Sequence, residues 1–158
     1  MNPLYQMTYI LSFLLLFTTS CKTANELPKS EVKVNTSYAF DFVESELLVP
    51  VLDKAAEDDK LIFLDIYTTW CLPCKLMDRD VFSHEETAEI FNKDFISYKV
   101  DAEKGEGPDL SLIYNVSRYP TLLFLDSKGR VLARKEGVAY HNELLKLAEE
   151  AKLKSITQ

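Results

Sequence analysis

The sequence predicts an α/β fold, a small mixed β-sheet flanked by helices on both faces. Three observations predict it. The apolar runs Leu61–Tyr67, Phe95–Val100 and Pro120–Leu125 have strand length and are separated by segments with helical spacing of apolar residues. The turn Asp126-Ser-Lys-Gly129 joins the last run to Arg130–Lys135, which reads as its hairpin partner. A length of 158 residues suits one such core with a short extension.

The chain begins with an apolar stretch, Ile10–Phe17, too short to span a bilayer and of the length of a signal-peptide core. Thr18, Thr19 and Ser20 follow it, and then Cys21. This resembles a bacterial lipoprotein signal, which implies removal of residues 1–20 and lipidation of Cys21. Two features depart from that pattern: residues 1–20 contain no Lys or Arg, and Thr18 stands where Leu is commonest. The alternatives are an ordinary secretory signal and an uncleaved anchor. All three export the domain. Residues 21–43 read as a tether, because Lys22–Ser37 is polar, carries Pro28 and has no clear periodicity. Residues 44–158 are expected to form the domain.

Leu47, Leu48, Val51, Leu52, Ala55 and Ala56 follow helical spacing, with a start near Pro50, where proline suits a first turn. A helix is expected from the region of Cys71 to Asp80. Another is expected over His84–Asn92, with Ser83 as its cap and Glu86 three residues on. Lys104–Pro108 reads as a turn and Asp109–Tyr114 as a short helix. Gly137 precedes a closing helix, His141–Lys154, whose apolar side carries Leu144, Leu145, Leu147, Ala148 and Ala151.

The chemistry is concentrated in Trp70-Cys71-Leu72-Pro73-Cys74-Lys75, where an apolar strand turns into a helix. A helix N-terminus presents unpaired N–H groups and a partial positive charge, which favour a thiolate on Cys71. Cys74, one turn on, can attack a mixed disulfide formed by Cys71. With three cysteines in all, no structural disulfide framework is available. A zinc site would need His84 and His141, neither at ligand-like spacing, and both read more simply as solvated surface residues. No metal or cofactor is therefore expected. A net charge of −7, without a basic run, argues against nucleic acid.

Residues 44–154 resemble the thioredoxin superfamily, through Asp65, Trp70, the Cys71/Cys74 pair, Lys75, Tyr119-Pro120-Thr121 and Gly137 in that order. Asp78–His84 resembles the C-terminal periplasmic domain of thiol–disulfide interchange proteins and their stand-alone relatives. The resemblance implies a thioredoxin fold, with Cys71 as an exposed nucleophile and Cys74 as a more buried resolving thiol. An aspartate inside an apolar strand is costly to bury, and the resemblance makes Asp65 the group that takes a proton from Cys74. It also implies a cis Pro120 that sets the Tyr119 backbone beside Cys71, with Trp70, Leu72 and Pro73 lining the substrate surface. Ser97 is expected to stand where thioredoxins carry a lysine beside the buried acid.

These readings converge on an exported, lipid-anchored thiol–disulfide oxidoreductase that reduces protein disulfides. Its partners would be protein disulfide or thiol substrates and a membrane electron donor. The alternatives are a disulfide oxidase or isomerase, made less favourable by Leu72-Pro73, and a non-catalytic thioredoxin-fold binding module.

Overall fold

The computed structural model describes residues 33–35 and 38–157. Residues 1–20, expected to be a signal, and Cys21 lie outside the described residues. Two short strands, β1 (Lys33–Asn35) and β2 (Phe42–Glu44), come first, followed by α1 (Leu48–Glu57) and β3 (Leu61–Tyr67). Next are α2 (Leu72–Asp80), α3 (Glu85–Asp94) and β4 (Phe95–Asp101). The chain closes with α4 (Gly107–Ile113), the hairpin β5 (Thr121–Leu125) and β6 (Val131–Glu136), and α5 (His141–Thr157).

The strands form one sheet in the order β1-β2-β4-β3-β5-β6. It is mixed: β3 runs parallel to β4 and antiparallel to β5. Alternation along β3 sends successive side chains to opposite faces. Ile62, Leu64 and Ile66 join Val51, Ala55, Leu110 and Tyr114 on the face covered by α1 and α4. Phe63 faces the other way, into a cluster with Met77, Phe82, Phe91, Phe124, Leu144 and Ala148 from α2, α3, β5, α5 and the α2–α3 turn. Its centre is aromatic, with Phe63 and Phe91 rings 5.0 Å apart and Phe40 and Phe91 rings 4.8 Å apart. Asp65 shares the parity of Phe63, so the strand delivers its carboxyl to the side on which α2 lies.

The folded sheet starts earlier than the expected boundary at residue 44. β1 and β2 fall within 21–43, the stretch read as tether, apart from the last residue of β2. Phe40 and Phe42 are buried in the aromatic cluster, which is the physical reason for the difference. Each burial contributes about 1.5–3 kcal/mol.

The cap of α3 also differs from expectation. His84, not Ser83, occupies the N-cap, and its side chain accepts from the Thr87 N–H. Ser83 instead donates its hydroxyl to the Asp78 carbonyl at 2.9 Å. His84 and His141, read as solvated surface residues, are half-buried, and their rings lie 4.0 Å apart. Each Nδ1 meets the Thr87 hydroxyl, at 3.0 and 3.1 Å. This staple ties the start of α3 to the start of α5. The first turn of α1 is capped from afar, by Glu106 accepting from the Leu48 N–H at 2.5 Å.

Candidate active site

Cys71 is the N-cap of α2, with extended backbone, and Pro73 sits in the first turn, where its missing N–H costs nothing. The Cys74 N–H points back at the Cys71 sulfur, 3.1 Å away. A helix N-terminal N–H directed at sulfur stabilises a thiolate there once the pair is reduced. In the structure the two sulfurs are joined as a disulfide, with Cα atoms 5.3 Å apart. Cys71 is 3% and Cys74 2% exposed. The expected contrast, an exposed nucleophile above a buried partner, is therefore absent from the disulfide form. The helix start is covered by its surroundings, although the residues flanking Cys71, Trp70 and Leu72, are 65% and 66% exposed.

On the side of the sheet where α2 lies is a charged group that β3, β4 and α2 build together. The parallel register sets Asp65 directly opposite Lys99, not Ser97, which pairs with Phe63. The Lys99 ammonium hydrogen-bonds Asp65 Oδ2 and lies 2.9 Å from Asp78 Oδ1. It also sits over the Tyr67 ring, 4.2 Å from its centroid. Lys99 thus fills the place assigned to Ser97, and its absence from the expectation is an error of two residues in register. Burial pushes the Asp65 carboxyl above the ordinary carboxylate range, and the charge and hydrogen bond of Lys99 offset this only in part. Burial works against the Lys99 charge, but the two carboxylates outweigh it and hold the amine protonated. Asp65 Oδ1 is buried without a hydrogen-bond partner among the described residues, so it is open to receive a proton.

The second wall of the site comes from β5. Ile66 pairs with Thr121, which puts Pro120 at the end of β3 from which the chain runs to Cys71. The Tyr119–Pro120 bond is cis. The Tyr119 ring meets the Trp70 ring edge to face at 5.9 Å, and the Trp70 indole N–H donates to Glu103 at 3.0 Å. Trp70, Leu72, Pro73, Tyr119 and Pro120 therefore surround the end of the sheet where the sulfurs lie. Among the described residues there is no group of three His, Cys, Asp or Glu side chains placed to hold a metal ion.

Residues 45–122 match the sequence model of a family described as Thioredox_DsbH, protein of unknown function, DUF255. A candidate disulphide-isomerase from Bacteroides thetaiotaomicron is similar in structure, with a TM-score of 0.63 and 37% identity, covering 78% of this chain and 99% of that one. The germline thioredoxin Deadhead of Drosophila melanogaster is similar at 31% identity and TM-score 0.53, covering 67% of this chain and 96% of that one. The chain belongs to the thioredoxin-like superfamily. A stretch of 76 residues, 48% of this chain, is 33% identical to the thiol:disulfide interchange protein DsbD of Yersinia pestis, of which it spans 13%.

Within that superfamily the chain falls among disulfide oxidoreductases with a Cys-x-x-Cys pair, and here Cys71 and Cys74 close as one. Two residues of the site were missed by the sequence reading. Lys99 was legible only as a cation inside an alternating strand. Asp78 lies four residues after Cys74, one helical turn, and so on the same side of α2.

Proposed function

We propose that this protein is an exported, lipid-anchored reductase of protein disulfides. The observation that carries the redox reading is the Cys71–Cys74 disulfide at the N-terminus of α2, on the side of the sheet where Asp65 and Lys99 lie buried. In the reduced protein the Cys71 thiolate attacks a substrate disulfide, and one substrate sulfur leaves as a thiolate that takes a proton from solvent. Cys74 then loses its proton to Asp65 and attacks the Cys71 sulfur. The bond between Cys71 and substrate breaks, and the Cys71–Cys74 bond forms. The substrate gains two electrons and the pair loses two.

Direction is supported by Pro73, since the resemblance associates a proline between the cysteines with reducing members. A disulfide-forming compartment would re-oxidise the pair, so a reductase there needs an electron donor, a dithiol presented by a membrane partner. Export and lipidation rest on Ile10–Cys21. The resemblance to the DsbD stretch is compatible with such a relay. An isomerase is the second reading, supported by the name of the Bacteroides relative.

The test is the reduction potential of the Cys71–Cys74 pair, equilibrated against defined thiol buffers. A value near about −270 mV supports the reductase, about −180 mV the isomerase, and about −120 mV an oxidase. Insulin reduction with the Cys71→Ser variant provides the control. Wild-type protein that turns over no disulfide, with partner binding that survives replacement of Cys71 and Cys74 by serine, overturns all three and leaves a binding module.

A further inference from the structure

The segment that leads into Pro120 is held from the edge strand β6 by two side chains that take no part in the thiol chemistry. Arg134 donates to the Tyr114 carbonyl and, at 2.9 Å, to that of Asn115. The same guanidinium binds Glu136 Oε1 at 2.6 Å. The other oxygen of Glu136 accepts from the Ser117 hydroxyl at 3.2 Å and lies 3.2 Å from Arg118 Nε. Residues 114, 115, 117 and 118 are thus fastened to Arg134 and Glu136, immediately before Tyr119. Two further bonds finish the attachment. Gly137 N–H donates to the Pro120 carbonyl at 2.7 Å, and the Thr121 hydroxyl to that of Arg118 at 2.7 Å.

β6 needs none of these charges to pair with β5, because its ladder is made of main-chain bonds from Thr121–Glu136 to Leu125–Val131. What the charges fix is the connection between α4 and β5. An extended polypeptide docks by strand addition only if the receiving main chain holds still. We propose that Arg134 and Glu136 are positioning residues that hold the Tyr119–Pro120 main chain for docking of an extended protein substrate. The clamp sets affinity for proteins and leaves the reactivity of Cys71 towards small disulfides unchanged. This rests on the oxidoreductase reading above but not on its direction.

The experiment compares the full chain with Glu136→Ala, Glu136→Gln and Arg118→Gln in two assays. One is steady-state reduction of insulin; the other is reaction of the reduced pair with dithiobis-nitrobenzoate. For Glu136→Ala the KM for insulin is expected to rise about threefold to fivefold, the scale of a partly exposed ionic contact, with kcat unchanged. Glu136→Gln retains an acceptor oxygen and restores part of the loss, and Arg118→Gln reproduces part of it from the other side. The rate with the small disulfide and the reduction potential stay at the wild-type values. An unchanged KM in Glu136→Ala overturns the clamp, as does an equal fall in both assays. Wild-type protein that reacts with the small disulfide but leaves insulin oxidised overturns the reductase direction instead. The clamp is then read from the KM of the oxidised protein for a dithiol peptide, with the same expected rise.

Discussion

A single carboxyl, Asp65, couples the stability of this fold to its chemistry. Burial raises its proton affinity above that of the unfolded chain, whose reference value is 3.8. Below that value the group is neutral in both states and costs nothing. As pH rises through the raised native value, the fold has to hold a buried charge and loses stability. Asp65→Asn is therefore expected to raise Tm by a few degrees at pH 7, with the gain vanishing as pH falls towards 4. In turnover the same variant is expected to retain attack by Cys71 but to release the mixed disulfide about a hundredfold more slowly, the low end of general-base contributions. Trapping the mixed disulfide and following its decay measures this. Lys99→Met leaves Asp65 and Asp78 facing one another without their shared cation. A loss of about 3–5 kcal/mol, measured by denaturant unfolding, is the expected outcome for a buried charge stripped of its partner.

At the scale of the elements, several boundaries depend on contacts made far away in sequence. Gly107 opens α4 where an added Cβ would stand 1.9 Å from the Asp101 carbonyl oxygen and 2.8 Å from the Ala102 Cα. Both are backbone atoms with no room to give, so Gly107→Ala is expected to cost about 1–3 kcal/mol in unfolding free energy. His84→Ala removes the α3 cap and its share of the Thr87 contact, for about 1 kcal/mol by the same measurement. The core helices and the strands β3 to β6 were legible because their periodicity runs over enough residues to be recognised. The strands β1 and β2 have three residues each, too few for alternation to show. The Cys pair was legible from spacing alone, but its charged neighbour was not. Alternation puts Phe95, Ser97 and Lys99 on one face, and only the parallel register, a tertiary property, selects Lys99 as the rung opposite Asp65. Pairing of His84 with His141 was hidden for the same reason, since it needs the start of α5 brought to the start of α3.

Across the whole molecule, the two faces of the sheet have separate duties. The α1–α4 face is mainly aliphatic, with Tyr98 and Tyr114 as its buried rings, whereas the α2–α3–α5 face is built on phenylalanine and lies on the side of the helix that carries the reactive pair. The N-terminal strand region is part of that second face. A chain beginning at Glu44 loses Phe40 and Phe42 from the cluster, and is expected to be less stable by about 3–6 kcal/mol. Equal denaturation midpoints for the full and shortened chains would show that the domain starts at 44 after all.

The near-complete burial of both cysteines in the disulfide form bears on traffic as well as on structure. Thiol exchange requires the incoming sulfur to reach the disulfide along a defined line, and access enters the rate directly. A small free thiol that meets Trp70 and Leu72 first gains little there to offset the displacement of the cover over Cys71. A protein that spreads across those exposed side chains can supply that energy from its own contact area. On the proposed reductase reading, the oxidised domain is an insulated terminal: electrons would enter when a matching surface is seated on it, and leak little to the pool of small thiols around it.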